Sequence, residues 1–160
     1  MAFPLPLYTM QKVVGIICAG TEIPEALAYH RFRNWVKYQW IAGEVTEGTG
    51  KGKRRRYVKL AIHQAAIMLQ VSEYLEGEVL KWVATQVRFR IREIEATLAS
   101  PGLRCWLTIR TRKKGREIFS PVLMFFDTSQ KDEAEILEFL DNHDRSVLVN
   151  VARVLGRLKI

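Results

Sequence analysis

The apolar positions of this chain change period along its length, and each period predicts a different element. Between Met10 and Ala19, Val13, Val14, Ile16 and Ile17 fall on one side of a short helix. Thr9 is placed to cap it, and Gly20 to end it. Thr21 to Pro24 reads as a turn, with Pro24 early in a second helix, where a missing N–H is tolerated. This helix is expected to run to about Gln39. At ~100° per residue it has two faces. Ala28, Phe32, Trp35, Val36 and Gln39 make a core face, and Ala26, His30, Arg33, Asn34 and Lys37 make a polar one.

A third helix is predicted over Lys59 to Gln70, on the apolar residues Leu60, Ala61, Ala65, Met68 and Leu69. A fourth spans Glu76 to Ala99, about 36 Å at ~1.5 Å per residue. Its apolar residues Leu80, Val83, Val87, Ile91, Ile94 and Leu98 are spaced by 3, 4, 4, 3 and 4, a heptad-like seam. The module before it has little core to cover so long a stripe. The seam therefore predicts an antiparallel dimer helix, with those six residues as the interface.

Ser100-Pro101-Gly102 stops the fourth helix, and the period falls to two. Leu103, Cys105, Leu107 and Ile109 alternate with Arg104, Trp106, Thr108 and Arg110, a strand. Lys113-Lys114-Gly115 is a turn, and Glu117 to Phe126 a second strand, with Pro121 marking an edge or a bulge. Ser129 is placed to cap a helix carrying Ala134, Ile136, Leu137 and Leu140. Ser146 to Leu155 alternates again, a third strand. The expected fold class is α+β: an N-terminal winged helix-turn-helix over 1–75, a dimerisation helix over 76–100, and a C-terminal ββαβ unit over 101–160 for dimerisation or partner binding.

The wing is read from Gly43 to Tyr57, GEVTEGTGKGKRRRY. Val45 and Tyr57–Val58 are expected in two short strands around a glycine-rich tip. Lys51, Lys53, Arg54, Arg55 and Arg56 load the tip or the second strand with adjacent cations that repel one another unless solvated or facing phosphates. The phosphate-loop pattern GxxxxGK[ST] is absent, because Arg54 follows Lys53.

Charge sharpens this picture. The 160 residues carry 25 basic and 17 acidic side chains, a net +8. Residues 1–71 hold +6 of it, 72–100 hold −1 and 101–160 hold +3. The excess lies where a helix face and a hairpin would meet a polyanion. Arg reads guanine and Asn reads adenine in a major groove, so His30, Arg33, Asn34 and Lys37 are candidate DNA contacts, with Lys51, Lys53, Arg54, Arg55 and Arg56.

Other chemistry is not legible. Cys18 and Cys105 lie far apart in apolar stretches, as buried thiols do. His30, His63 and His143 are scattered, so no metal site and no cofactor is expected. No nucleophile–base pair stands out, and the chain is not expected to be an enzyme. No run approaches ~18 apolar residues, so no membrane span is expected, and the reading is cytoplasmic and nucleoid-associated.

The order helix, turn, helix, basic wing, helix, long helix resembles the DNA-binding half of the MerR superfamily of winged helix-turn-helix regulators. The matching residues are Phe32-Arg33-Asn34-Trp35, Trp40-Ile41 and Arg54-Arg55-Arg56-Tyr57, within about Tyr8 to Ser100. The family's Leu-Gly turn between its third and fourth helices is missing, and no cysteine ligands follow the long helix. In size and layout the chain is similar to the small MerR-type repressors that accompany CRISPR-associated transposons. The resemblance implies a homodimer on double-stranded DNA, with contacts from Arg33, from His30, Asn34 and Lys37, and from the wing cations with Tyr57. The expected function is a sequence-specific transcriptional regulator, a homodimeric repressor occluding a promoter. An architectural, excisionase-like DNA-binding protein of a mobile element is the first alternative. The second is an RNA-binding protein stacking bases on Trp106, Phe119, Phe125 and Phe126.

Overall fold

The computed structural model describes residues 6–48, 54–100, 103–113, 117–127 and 145–160. In the C-terminal sheet the described side chains are those of 105–108, 149 and 150. The described residues form a mixed α+β fold. Its elements are α1 (Met10–Cys18), α2 (Glu25–Lys37), β1 (Glu44–Glu47), β2 (Arg54–Tyr57), α3 (Lys59–Val71), α4 (Gly77–Ala99), β3 (Leu103–Lys113), β4 (Glu117–Asp127), β5 (Arg145–Asn150) and α5 (Val151–Gly156). Lys51, Lys53, Pro101, Gly102, Lys114, Gly115 and the helix expected from Ser129 lie outside the described residues.

α3 is the centre of the molecule. Every residue from Ala61 to Leu69 is buried, so this helix is covered on all sides. α1, α2, α4, α5 and β2 all pack against it. A helix enclosed in this way cannot leave polar side chains to water, and His63 and Gln64, at 3% and 1% exposure, both find partners.

α1 begins where expected. The Thr9 hydroxyl accepts from the Lys12 N–H at 3.2 Å, a cap worth about 1 kcal/mol. Val13, Val14, Ile16 and Ile17 are buried. α2 buries Ala28, Phe32, Trp35 and Val36, but Gln39 is exposed and outside the helix. The helix ends at Lys37 because Gln39 turns left-handed, with φ of 60°. There the Gln39 N–H donates to the Val36 carbonyl at 3.0 Å and the Trp40 N–H to the Trp35 carbonyl at 2.8 Å. These two bonds close a Schellman motif, usually signalled by glycine, which this chain lacks at that position.

β1 and β2 pair antiparallel, from Glu44 opposite Tyr57 to Glu47 opposite Arg54. Tyr8 bridges Tyr57 through two backbone hydrogen bonds of 2.9 Å, which ties the start of the chain to β2. The second sheet has the order β4-β3-β5 and is antiparallel throughout. β4 is at its edge, as Pro121 predicts. Cys105 and Leu107 are buried on one side of β3.

Two expectations are corrected here. The third C-terminal strand ends at Asn150, and Val151–Gly156 is helix. The Asn150 side chain accepts from the Arg153 N–H at 2.9 Å and caps it, while Val151, Val154 and Leu155 are buried at helical spacing. The second correction concerns α4. Leu80, Val83, Val87, Ile91 and Ile94 are buried inside one chain, against α3, β3, β4 and α5. Leu98 is 39% exposed. The seam is therefore filled by the chain's own core, which removes the reason for reading it as a dimer interface. The opposite side of α4 presents Trp82 and Phe89, the latter 80% exposed.

Candidate nucleic-acid interface

α2 carries the polar row that its spacing predicts. His30, Arg33 and Lys37 are exposed, and Asn34 is half-buried beside them. The row is held at a fixed angle because the other side of the helix is locked. Phe32 and Trp35 are fully or almost fully buried, each stabilising the fold by roughly 2–3 kcal/mol. Arg31, which the sequence did not single out, donates to the Ser72 hydroxyl at 2.9 Å. That hydroxyl donates in turn to the Leu69 carbonyl at 2.8 Å. Arg31 thus anchors α2 to the end of α3 and is not part of the row.

The three hairpin arginines lie in β2. Arg54 and Arg55 are exposed and Arg56 is half-buried. Arg55 donates across the hairpin to the Glu44 carboxylate at 3.2 Å. Both groups are substantially solvated, so the pair contributes little to stability. Lys51 and Lys53 lie outside the described residues. Tyr57 is a correction. It is 0% exposed, so it cannot touch a nucleic acid as the resemblance implies. Its ring meets Phe32 edge-on, with centroids 5.0 Å apart and planes at 68°, and this contact joins β2 to the core face of α2. Burial pushes the Tyr57 phenol up to about 12, with Glu44 and Tyr29 adding to the rise and Arg55 opposing it. Its hydroxyl has no hydrogen-bond partner among the described residues.

The connection from α2 to β1 holds two aromatics: Tyr38, which no sequence pattern singles out, and Trp40, one of the residues that carry the resemblance. Tyr38, 58% exposed, lies 5.7 Å from the half-buried Trp40, and the Lys37 ammonium sits 5.7 Å from the Tyr38 ring centroid. The same connection is bonded to Gln64: its Nε2 donates to the Trp40 carbonyl at 2.7 Å, and its Oε1 accepts from the Ala42 N–H at 2.8 Å. The only signal for Gln64 in the sequence is an amide on a helix that proves to be enclosed.

Other titratable groups serve the fold. His63 Nδ1 lies 2.9 Å from Glu95 Oε1, and burial lowers the His63 pKa although Glu95 opposes that shift. Burial raises the Cys18 thiol and pushes Cys105 up to about 12, so both remain protonated near neutrality. Among the described residues no three His, Cys, Asp or Glu side chains converge as metal ligands. No helix among them is long and apolar enough to cross a membrane. Trp106 is half-buried, and the side chains of Phe119, Phe125 and Phe126 lie outside the described residues. No protein-family model and no curated protein matches the chain.

Proposed function

We propose that the chain binds double-stranded DNA in a sequence-specific way and regulates transcription, as a repressor that occludes a promoter. One observation carries the reading. An exposed His30, Arg33 and Lys37 row stands on a helix whose other side is locked into the core, and a six-residue connection leads from that helix into a hairpin with three consecutive arginines. A rigid helix row suits base edges, and a cationic strand suits phosphates. The α2–hairpin pair then serves as the reading head of a winged helix-turn-helix, with Asn34 at its margin.

The test is selection of bound duplexes from a random pool, followed by titration across salt. Arg54→Ala with Arg55→Ala should weaken binding to every duplex and flatten the log–log salt slope by up to ~1.8, at ~0.9 per phosphate contact. Arg33→Ala should instead relax preference at one base pair, by ~1–3 kcal/mol. A wild-type chain with equal affinity for all duplexes would sink the reading. Bending of the selected duplex without promoter occlusion would favour an architectural role. The reading includes two copies per operator, and the mass of the protein–DNA complex in solution reports that number directly.

A further inference from the structure

Six residues, 38–43, connect the helix row to the hairpin, and none of them lies in a helix or strand. Their backbone leaves α2 through the left-handed Gln39 and enters β1 through Gly43, with φ of 78°. Between these points the path is held from inside. Gln64 Nε2 donates to the Trp40 carbonyl at 2.7 Å and to the Ala84 carbonyl of α4 at 3.0 Å, while Oε1 accepts from the Ala42 N–H at 2.8 Å. Both amide protons are used, and the oxygen has a donor. The reversed amide would set its oxygen against two carbonyls, so the bonds fix its orientation. The preceding residue of the same buried helix, His63, holds Glu95 of α4.

We propose that Gln64 is a positioning residue: it sets the angle of the β1–β2 hairpin relative to α2 and makes that angle depend on α4. From its place on α3 the side chain bonds the backbones of the connection and of α4, and at 1% exposure water cannot substitute for it. Movement of α4 at Ala84 would pull directly on the connection between the two cationic elements. The consequence for DNA rests on the reading above; the consequence for the hairpin does not.

Two measurements keep these apart. In the free wild-type chain, the Gln64 side-chain amide protons should resist exchange with solvent by at least tenfold relative to an exposed glutamine. In Gln64→Met, of similar length and unable to hydrogen-bond, backbone amides of β1 and β2 should exchange faster while those of α1 and the middle of α2 do not. On DNA, Gln64→Met should flatten the salt slope by up to ~1.8, the share of two hairpin arginines at ~0.9 each, and leave the Arg33→Ala effect on base preference intact. Unprotected Gln64 protons in the wild type overturn the proposal whether or not the variant folds. An unchanged hairpin exchange and salt slope in a folded Gln64→Met overturn it too. A wild type that shows the protection and binds no duplex overturns the DNA reading alone.

Discussion

Tyr57→Phe separates the two roles assigned to this residue. The resemblance to the MerR superfamily implies a DNA contact, whereas the structure buries the side chain completely and gives its hydroxyl no partner among the described residues. A buried, unsatisfied polar group costs ~1–3 kcal/mol. The ring is retained in the variant, and with it the edge-on contact to Phe32 at 5.0 Å. Removal of the hydroxyl should therefore stabilise the chain by about 1 kcal/mol near neutral pH, a rise in Tm of roughly 2–4 °C for a domain of this size. The advantage should grow in alkali. The folded phenol keeps its proton to about 12, while the unfolded one releases it near 10. Between those values the folded state binds the extra proton, so stability falls as pH rises, by ~1.4 kcal/mol per pH unit. At pH 11 the Phe variant should lead by about one such step more than at pH 7. Urea denaturation at both pH values measures this, and DNA affinity should stay within about twofold. A variant destabilised at pH 7, or one with affinity reduced tenfold, would refute the assignment of Tyr57 to the core.

Gln39→Gly should raise stability by about 0.5–1 kcal/mol in urea melts, because glycine adopts the left-handed end of α2 without the strain a side chain carries there. Gly43→Ala should cost about 2–3 kcal/mol: a Cβ there would lie 2.5 Å from Val58 Cγ2, at a φ of 78°. His63, held neutral by burial, should contribute stability that is present above its ordinary pKa of ~6.5 and lost as pH falls below it, since the unfolded chain takes up the proton first. Urea midpoints from pH 8 to 5 should fall less steeply in His63→Gln than in wild type.

What was legible in the sequence was whatever depends on neighbours in the chain. The Thr9 cap, the core residues Phe32 and Trp35, and the pairing of a strand near Val45 with one ending at Tyr57 each follow from local spacing and turn chemistry. The exposed row of His30, Arg33 and Lys37 follows from the same helical period. The contact expected of Tyr57 rests on the resemblance alone, and no local pattern states that the last residue of β2 turns its ring onto Phe32. Val151 was placed in a strand because its alternation with Val147 and Val149 continues one step into a helix that Asn150 caps.

α4 shows where such reading stops. A spacing of three and four states that a stripe will be buried; it does not state what buries it. The spacing points to a dimer only because the residues before Gly77 offer too little surface to cover Leu80 through Ile94. Much of the cover comes from β3, β4 and α5, which follow α4 in the chain and fold back onto it beside α3. The same long-range packing encloses α3 and brings Gln64 to a three-way bond among α3, α4 and the α2–β1 connection. The C-terminal sheet is thereby linked to the cationic elements: it packs on α4, Ala84 of α4 accepts from Gln64, and Gln64 holds the connection that leads into the hairpin.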